Sequence, residues 1–333
     1  AGYTKYTDCR GYKELREEIA KYYKEEFGMQ VSDEEIMVTA SGCIAMYLAL
    51  EAILDDGDEV IVPTPYFTIY KTQIELARGK IVELDTFEEE HWQIDPDRLE
   101  SCITPKTKVI IINSPNNPTG SCLSPDTMNK IAKVAQKHDL VVISDEIYTI
   151  YSFAQKFIPF SSLEGMKERT ITINSFSKNF LMTGWRVGYV VAHPEIIKKM
   201  SSMQGHCTSN ICSISQKAAL AGLTGPLDFL GEMRNAFQRR RDLAMDIING
   251  WDFASCPCPD GAFYLFVDVR KCFGGTVKNS TELCTWLLDK ARVAVVPGAA
   301  FGDDNCIRFS YAVSDDTLRD ALQRIGDALS QLR

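Results

Sequence analysis

Long hydrophobic runs are missing from this sequence. The longest, Cys43 to Leu50, has eight residues, against the roughly 18 that a membrane-crossing helix needs. Positive charge is also short: 36 Lys and Arg against 45 Asp and Glu leave a formal charge of −9. That balance lacks the basic footprint of a nucleic-acid binder and is repelled by an anionic lipid surface. Neither nucleic acid nor membrane is expected as a partner. Histidines number only four and are scattered, and there is no Cys-x-x-Cys pair, the tightest grouping being Cys256-Pro257-Cys258. No metal site is therefore expected. Internal repeats and low-complexity tracts are absent, and Ala1 to Arg10 is polar, without the apolar core of a secretory leader. The eleven cysteines read as reduced thiols of a cytoplasmic protein, several of them buried as small apolar groups.

What is present is an ordinary globular composition, 45% hydrophobic and 24% charged over 333 residues. At about 150 residues per domain, that length suggests roughly two domains. Short β-rich runs alternate with amphipathic stretches. Strands are expected at Glu59–Pro63, Lys80–Glu83, Lys108–Ile112, Leu140–Ser144, Thr170–Asn174 and Val187–Ala192. Several of these are continuously apolar, as a sheet covered on both faces requires. With helical stretches such as Ser124–Lys137 and Pro194–Met203 between them, the pattern is that of a mostly parallel α/β sheet. A long charged helix from about Pro226 to Asn249 follows. Its Arg239-Arg240-Arg241 run reads as a solvated face rather than an anion site. A smaller α+β unit comes after it, with a strand at Gly261–Val267, a helix at Ser280–Lys290, short strands near Val293 and Ile307, and a closing helix at Ser314–Leu332.

The chemistry-bearing segments fall at strand ends, where ligand sites of parallel sheets lie. Ser175-Phe176-Ser177-Lys178 follows the strand Thr170–Asn174, and a lysine there can form a Schiff base if its pKa is depressed. Ser144-Asp145-Glu146-Ile147-Tyr148 and Ser114-Pro115-Asn116-Asn117-Pro118-Thr119-Gly120 follow two further strands. Gly184-Trp185-Arg186-Val187-Gly188 lies just beyond the lysine. Singly, these read as a surface lysine, a helix cap and a turn. Four together, three of them at the ends of apolar strands, make coincidence improbable.

With Arg308 near the C-terminus, this ordered set resembles the class I/II aminotransferases, the aspartate aminotransferase family of pyridoxal-phosphate enzymes. The resemblance runs from Tyr3 to the C-terminus. It implies a large domain with a mostly parallel seven-stranded sheet flanked by helices (residues 1–230), a smaller α+β domain (231–333), and a homodimer with sites at its interface. It implies pyridoxal 5'-phosphate as cofactor, with Lys178 as the lysine that carries it and moves the substrate proton. Asp145 matches the partner of the pyridine nitrogen. Tyr148 and Asn117 match the partners of the ring's phenolic oxygen. Ile147 matches the residue under one ring face, and Phe67 the aromatic stacked on the other. Gly42 and Cys43, opening a helix over Ile44–Leu54 after a strand at Ile36–Thr39, match the phosphate loop. Ser175 and Arg186 complete that cradle. Tyr6 matches a tyrosine that reaches the partner's phosphate. Arg308 matches the arginine for the substrate α-carboxylate, a planar fork suited to bidentate pairing. Phe263 is either a pocket wall or core packing.

The chain departs from the family in two places. Family members usually begin several tens of residues earlier, so the sequence is a fragment or the arm that covers the substrate is absent. In one bacterial branch a lysine for a distal carboxylate stands where this chain has Cys43, which argues against aspartate as preferred donor. A cation from the partner's loop, or from the arm, could still take that role; Gln204–Asn210 is expected near the neighbouring site, with His206 as a polar loop residue. The expected reaction moves an amino group from a neutral, aromatic or small aliphatic L-amino acid to a 2-oxo acid. Alternatives are a carbon–sulfur β-lyase on the same scaffold and a non-catalytic metabolite-sensing regulator. The regulator is disfavoured because no DNA-binding domain is visible and every catalytic position is filled.

Overall fold

The computed structural model describes residues 2–332. Seven strands form the main sheet: β1 (Ile36–Thr39), β2 (Glu59–Thr64), β3 (Lys80–Asp85), β4 (Thr107–Asn113), β5 (Val141–Asp145), β6 (Thr170–Ser175) and β7 (Gly188–Val191). Their order is β1-β7-β6-β5-β4-β2-β3. Only β7 is antiparallel to its neighbours. The expected mostly parallel seven-stranded sheet is thus present, with boundaries one or two residues from those read in the sequence.

The continuously apolar strands are explained by their two covered faces. Val109, Ile111 and Ile143 pack with the helices Gly42–Ile53 and Ile69–Leu76 on one side. Ile110, Ile112 and Val142 alternate to the other side, against the helix Pro125–Lys137. A third cluster joins β1 and β7 to Leu15, Ile19 and Tyr23, one stripe of the helix Lys13–Phe27. Residues spaced by four on a helix share a face, so that stripe was legible in the sequence, although this helix was not among the expected elements. Ser124 caps Pro125–Lys137 by accepting from the Thr127 amide, and Pro125 occupies a first-turn position where its missing N–H costs nothing.

The C-terminal unit is a three-stranded antiparallel sheet, ordered β8 (Tyr264–Asp268), β10 (Cys306–Ser310), β9 (Val296–Pro297). The helices Asp228–Ile248, Ser280–Lys290 and Asp315–Leu329 cover it around a core of Phe237, Leu265, Val267, Leu283 and Leu322. Tyr148 and Tyr151 of the first unit join that same core. The helix Asp228–Ile248 runs across position 230 and packs on both units.

Three local expectations are corrected. The triple arginine is not simply a solvated face. Arg239 and Arg240 donate to Asp315 at 3.0 and 3.1 Å, and Arg241 donates to the Pro259 carbonyl at 3.0 Å. These contacts tie the long helix to the closing helix and to the loop before β8. His206 sits in the last turn of a helix that runs from Pro194 to Thr208, beyond the expected end at Met203, rather than in a loop. The strand expected near Val293 begins at Val296, because the chain turns through a positive φ of 54° at Arg292 after the preceding helix.

Candidate active site

Three parallel strands end close together, β4 and β5 in register and β6 two residues further on. Asn113 at the end of β4 pairs with Asp145 at the end of β5, which pairs with Ile173 of β6. Asn113 clamps this edge. Its Nδ2 donates to the Asp145 carbonyl at 2.9 Å and its Oδ1 accepts from the Asn117 amide at 2.8 Å. The turn after β4 is pulled toward the C-terminal unit at Gly120. Its φ is +72°, and a Cβ there would stand 2.6 Å from Pro259 Cβ. The Gly261 amide donates to the Gly120 carbonyl at 2.8 Å. This junction carries Asn117 to β10, where Arg308 Nη1 donates to its Oδ1 at 2.8 Å.

The cavity formed there has a volume of about 260 Å³. It is lined by eleven of the thirteen residues expected from the sequence: Gly42, Cys43, Phe67, Asn117, Asp145, Ile147, Tyr148, Ser175, Lys178, Arg186 and Arg308. Tyr6 and Phe263 stand outside the lining. Tyr6 is 88% exposed in the isolated chain. Phe263 is buried among Tyr148, Tyr151 and Phe237, with its ring centroid 5.6 Å from Lys178 Nζ.

At one end lies an anion cradle. Ser41 caps the helix Gly42–Ile53 by accepting from the Ile44 amide at 3.3 Å. The amides of Gly42 and Cys43 are first-turn groups with no intrahelical acceptor. Gly188 lets β7 come against this loop, since a Cβ there would sit 2.6 Å from Gly42 N. Ser175 Oγ accepts from the Ser177 amide and lies 3.1 Å from the Val187 carbonyl. Arg186 enters from the turn before β7 with a φ of 55°, and its Nη1 donates to the Thr183 carbonyl at 2.7 Å.

At the floor, Asp145 is buried and accepts from the Tyr70 hydroxyl at 2.6 Å. Burial pushes its pKa up to about 6, against the pull of the Tyr70 hydrogen bond. Lys178 lies in the short helix Phe176–Asn179 that continues from β6. Burial lowers its pKa, with the positive charges of Arg308 and Arg186 acting in the same direction. The lysine is therefore poised closer to its neutral, nucleophilic form.

At the opposite end, the Arg308 guanidinium lies between the Tyr264 and Phe301 rings, 4.5 and 4.8 Å from their centroids. Its Nε is buried with no acceptor, and burial lowers its pKa. A planar cation with an unpaired donor has the fork geometry that suits a carboxylate. Tyr70, Tyr264, Met46 and Ile69 were not among the site residues expected from the sequence. Tyr70 lies in the first turn of the helix Ile69–Leu76, and its amide donates to the carbonyl of Phe67, just before that helix, at 3.1 Å, so its one signal was nearness in sequence to Phe67. Tyr264 carried no signal beyond its place beside Phe263. Among the described residues, no cluster of three or more His, Cys, Asp or Glu is arranged to hold a metal ion.

The chain matches the family model for aminotransferase class I and II over residues 1–325. The aspartate aminotransferase of Bacillus subtilis (strain 168) is 39% identical over 327 residues, covering 97% of this chain and 83% of that protein. A bifunctional aspartate aminotransferase and glutamate/aspartate-prephenate aminotransferase of Petunia hybrida is 41% identical, covering 100% of this chain and 72% of that protein. Among solved structures, the aspartate aminotransferase from Rhizobium meliloti has a TM-score of 0.95 at 38% identity, covering 99% of this chain and 84% of that one. The aromatic aminotransferase from Pyrococcus horikoshii OT3 also has a TM-score of 0.95, at 39% identity, covering 99% and 89%.

Proposed function

The chain belongs to the class I and II aminotransferases, and from that premise we propose that its cavity binds pyridoxal 5'-phosphate and exchanges an amino group between an L-amino acid and a 2-oxo acid. One observation carries the reading: a lysine of lowered pKa, a buried carboxylate, an anion cradle and a carboxylate-ready arginine face a single cavity. The donor set fits the cofactor. The cradle suits a phosphate dianion. Asp145 is a buried carboxylate with no cation beside it, and a protonated ring nitrogen would supply one. When bound, the cofactor supplies an electron sink for the carbanion formed at the substrate Cα.

The rest is work for the chain's own side chains. Gly42, Cys43, Ser175 and Arg186 would hold the phosphate, and Phe67 and Ile147 would offer apolar surface to the ring. Asp145 keeps the ring nitrogen protonated, with Tyr70 orienting its carboxylate. Tyr148 and Asn117 donate to the ring oxygen. Arg308 pairs with the α-carboxylate and so orients the substrate Cα toward Lys178. Lys178 Nζ, held closer to its neutral form, would accept and hand on the substrate's Cα proton.

On substrate choice, the relatives are named as aspartate, aspartate-prephenate and aromatic aminotransferases. In this chain Cys43, Met46, Phe67 and Ile69 line the cavity. A thiol cannot pair with a distal carboxylate, so we infer that donors with an uncharged apolar or aromatic side chain are preferred to aspartate. The assembly we infer is a homodimer in which the exposed Tyr6 reaches the neighbouring phosphate cradle. Trp185, beside Arg186, is 47% exposed and available to the same contact. The eleven free thiols suit a reducing, cytoplasmic setting.

The test is a stoichiometric half-reaction: cofactor-loaded protein is mixed with one amino acid at a time and the 2-oxo acid released is counted. One 2-oxo acid per site, with phenylalanine or leucine outrunning aspartate, supports the reading. Accumulating pyruvate and ammonia from a cysteine thioether, without net change of cofactor, would replace it with the lyase.

A further inference from the structure

Tyr264 has no part in the proposed reaction, yet its hydroxyl is 3.0 Å from that of Tyr148. Both phenols are buried. In a pair of hydroxyls only one proton lies between the oxygens, and the surroundings decide which group donates it. Here the surroundings are asymmetric. The Arg308 guanidinium sits over the Tyr264 ring at 4.5 Å, and a cation on the ring face draws electron density from that phenol. The ring of Tyr264 is thereby made the better donor, and Tyr148 the acceptor. The hydrogen of Tyr148 is then free to point into the cavity that Tyr148 lines.

We propose that Tyr264 is a positioning residue: its hydroxyl donates to Tyr148, turns the Tyr148 hydrogen toward the cofactor's ring oxygen, and ties that bond to the Arg308 carboxylate site. This rests on the reading that the cavity binds pyridoxal 5'-phosphate on Lys178. Chained hydrogen bonds polarise one another, so a donor behind Tyr148 strengthens its bond to the ring oxygen. A strong donor there stabilises the form of the Lys178 linkage that has lost its proton, because more negative charge then rests on that oxygen. Removing the Tyr264 hydroxyl weakens the donor and raises the pH at which the linkage titrates.

The other groups facing the pair do not change in the experiment. Asp145 on β5 and Arg308 on β10 act on Tyr148, and Tyr151 feels Tyr264. Tyr70 holds Asp145. Cys43 and Arg186 act on Lys178 from the phosphate side. Tyr264→Phe keeps the ring under Arg308 and deletes only the hydroxyl.

The experiment is a pH titration of the visible absorption of the cofactor-loaded enzyme, without substrate, for wild type, Tyr264→Phe, Tyr148→Phe and the double variant. In Tyr264→Phe the midpoint rises by about 0.5–1 pH unit. In the Tyr148→Phe background the same substitution moves it by much less, because the effect passes through Tyr148. The KM for the amino donor stays within about twofold while kcat falls, since the Arg308 platform is kept. A visible band whose midpoint is unmoved or lowered in Tyr264→Phe overturns the inference and leaves the cofactor reading intact. A full shift that persists in the Tyr148→Phe background also overturns it. No visible band in the wild type overturns both.

Discussion

Asp145 makes the cofactor-free protein less stable than it would otherwise be. Its carboxylate is buried, hydrogen-bonded to Tyr70 and faces no cation, and its pKa is raised to about 6. An unfolded chain holds the same group near about 3.9. The folded state therefore binds the proton more tightly, and stability is lost as pH rises from about 4 through about 6. At about 1.4 kcal/mol per pKa unit, the full loss is about 3 kcal/mol above pH 7. Asp145→Asn keeps an acceptor for Tyr70 and removes the charge. For a chain of 333 residues, 3 kcal/mol corresponds to about 4 °C in Tm. The assay is thermal unfolding of cofactor-free wild type and Asp145→Asn between pH 4 and 8. The variant's advantage grows with pH and levels off above about 7. Glu146, whose pKa burial raises to about 7, slopes the same way in both proteins and largely cancels in the difference. With pyridoxal 5'-phosphate added, the order reverses, because only the wild type gains a paired charge. A variant that is less stable at every pH, or a difference independent of pH, would refute the argument.

Two further predictions follow from the cradle. Cys43→Lys places a cation at the cavity and raises kcat/KM for aspartate about tenfold relative to phenylalanine; steady-state kinetics with both donors checks this, and an unchanged ratio would show that Cys43 does not face the distal group. Gly188→Ala puts a methyl group 2.6 Å from Gly42 N, pushes the phosphate loop off β7, and weakens cofactor binding more than about tenfold. Fluorescence titration with pyridoxal 5'-phosphate reads that loss, and wild-type affinity would contradict it.

Much of the site could be read in the chain because parallel sheets concentrate function at strand ends. Asp145, Asn117 and Lys178 each follow an apolar run, and an apolar run is the strongest strand signal when both faces are covered. The three strands are neighbours that end within two residues of one another, which is why motifs far apart in sequence meet. Tyr70 and Tyr264 were harder to see. Tyr70 touches Asp145 and Tyr264 touches Tyr148, and such pairings depend on a tertiary approach that no local pattern encodes. The arginine triplet failed for a related reason. Arg240 and Arg241 sit on a charged helix that looks solvent-facing, but Asp315 and the Pro259 carbonyl come to them from 18 to 75 residues away. Elements set by local chemistry fared better. Ser124-Pro125, Ser314 and Asn279 each mark a helix start, with a side chain accepting a first-turn amide.

The central claim is that Lys178 carries the cofactor. The most direct measurement is to load the purified protein with pyridoxal 5'-phosphate, reduce it with borohydride, digest it and map the modified peptide by mass spectrometry. One cofactor per chain is expected, attached at Lys178, with no visible band or stable adduct in Lys178→Ala. Attachment at another lysine, or an unmodified Lys178 in a protein that still releases one 2-oxo acid per site, would contradict it.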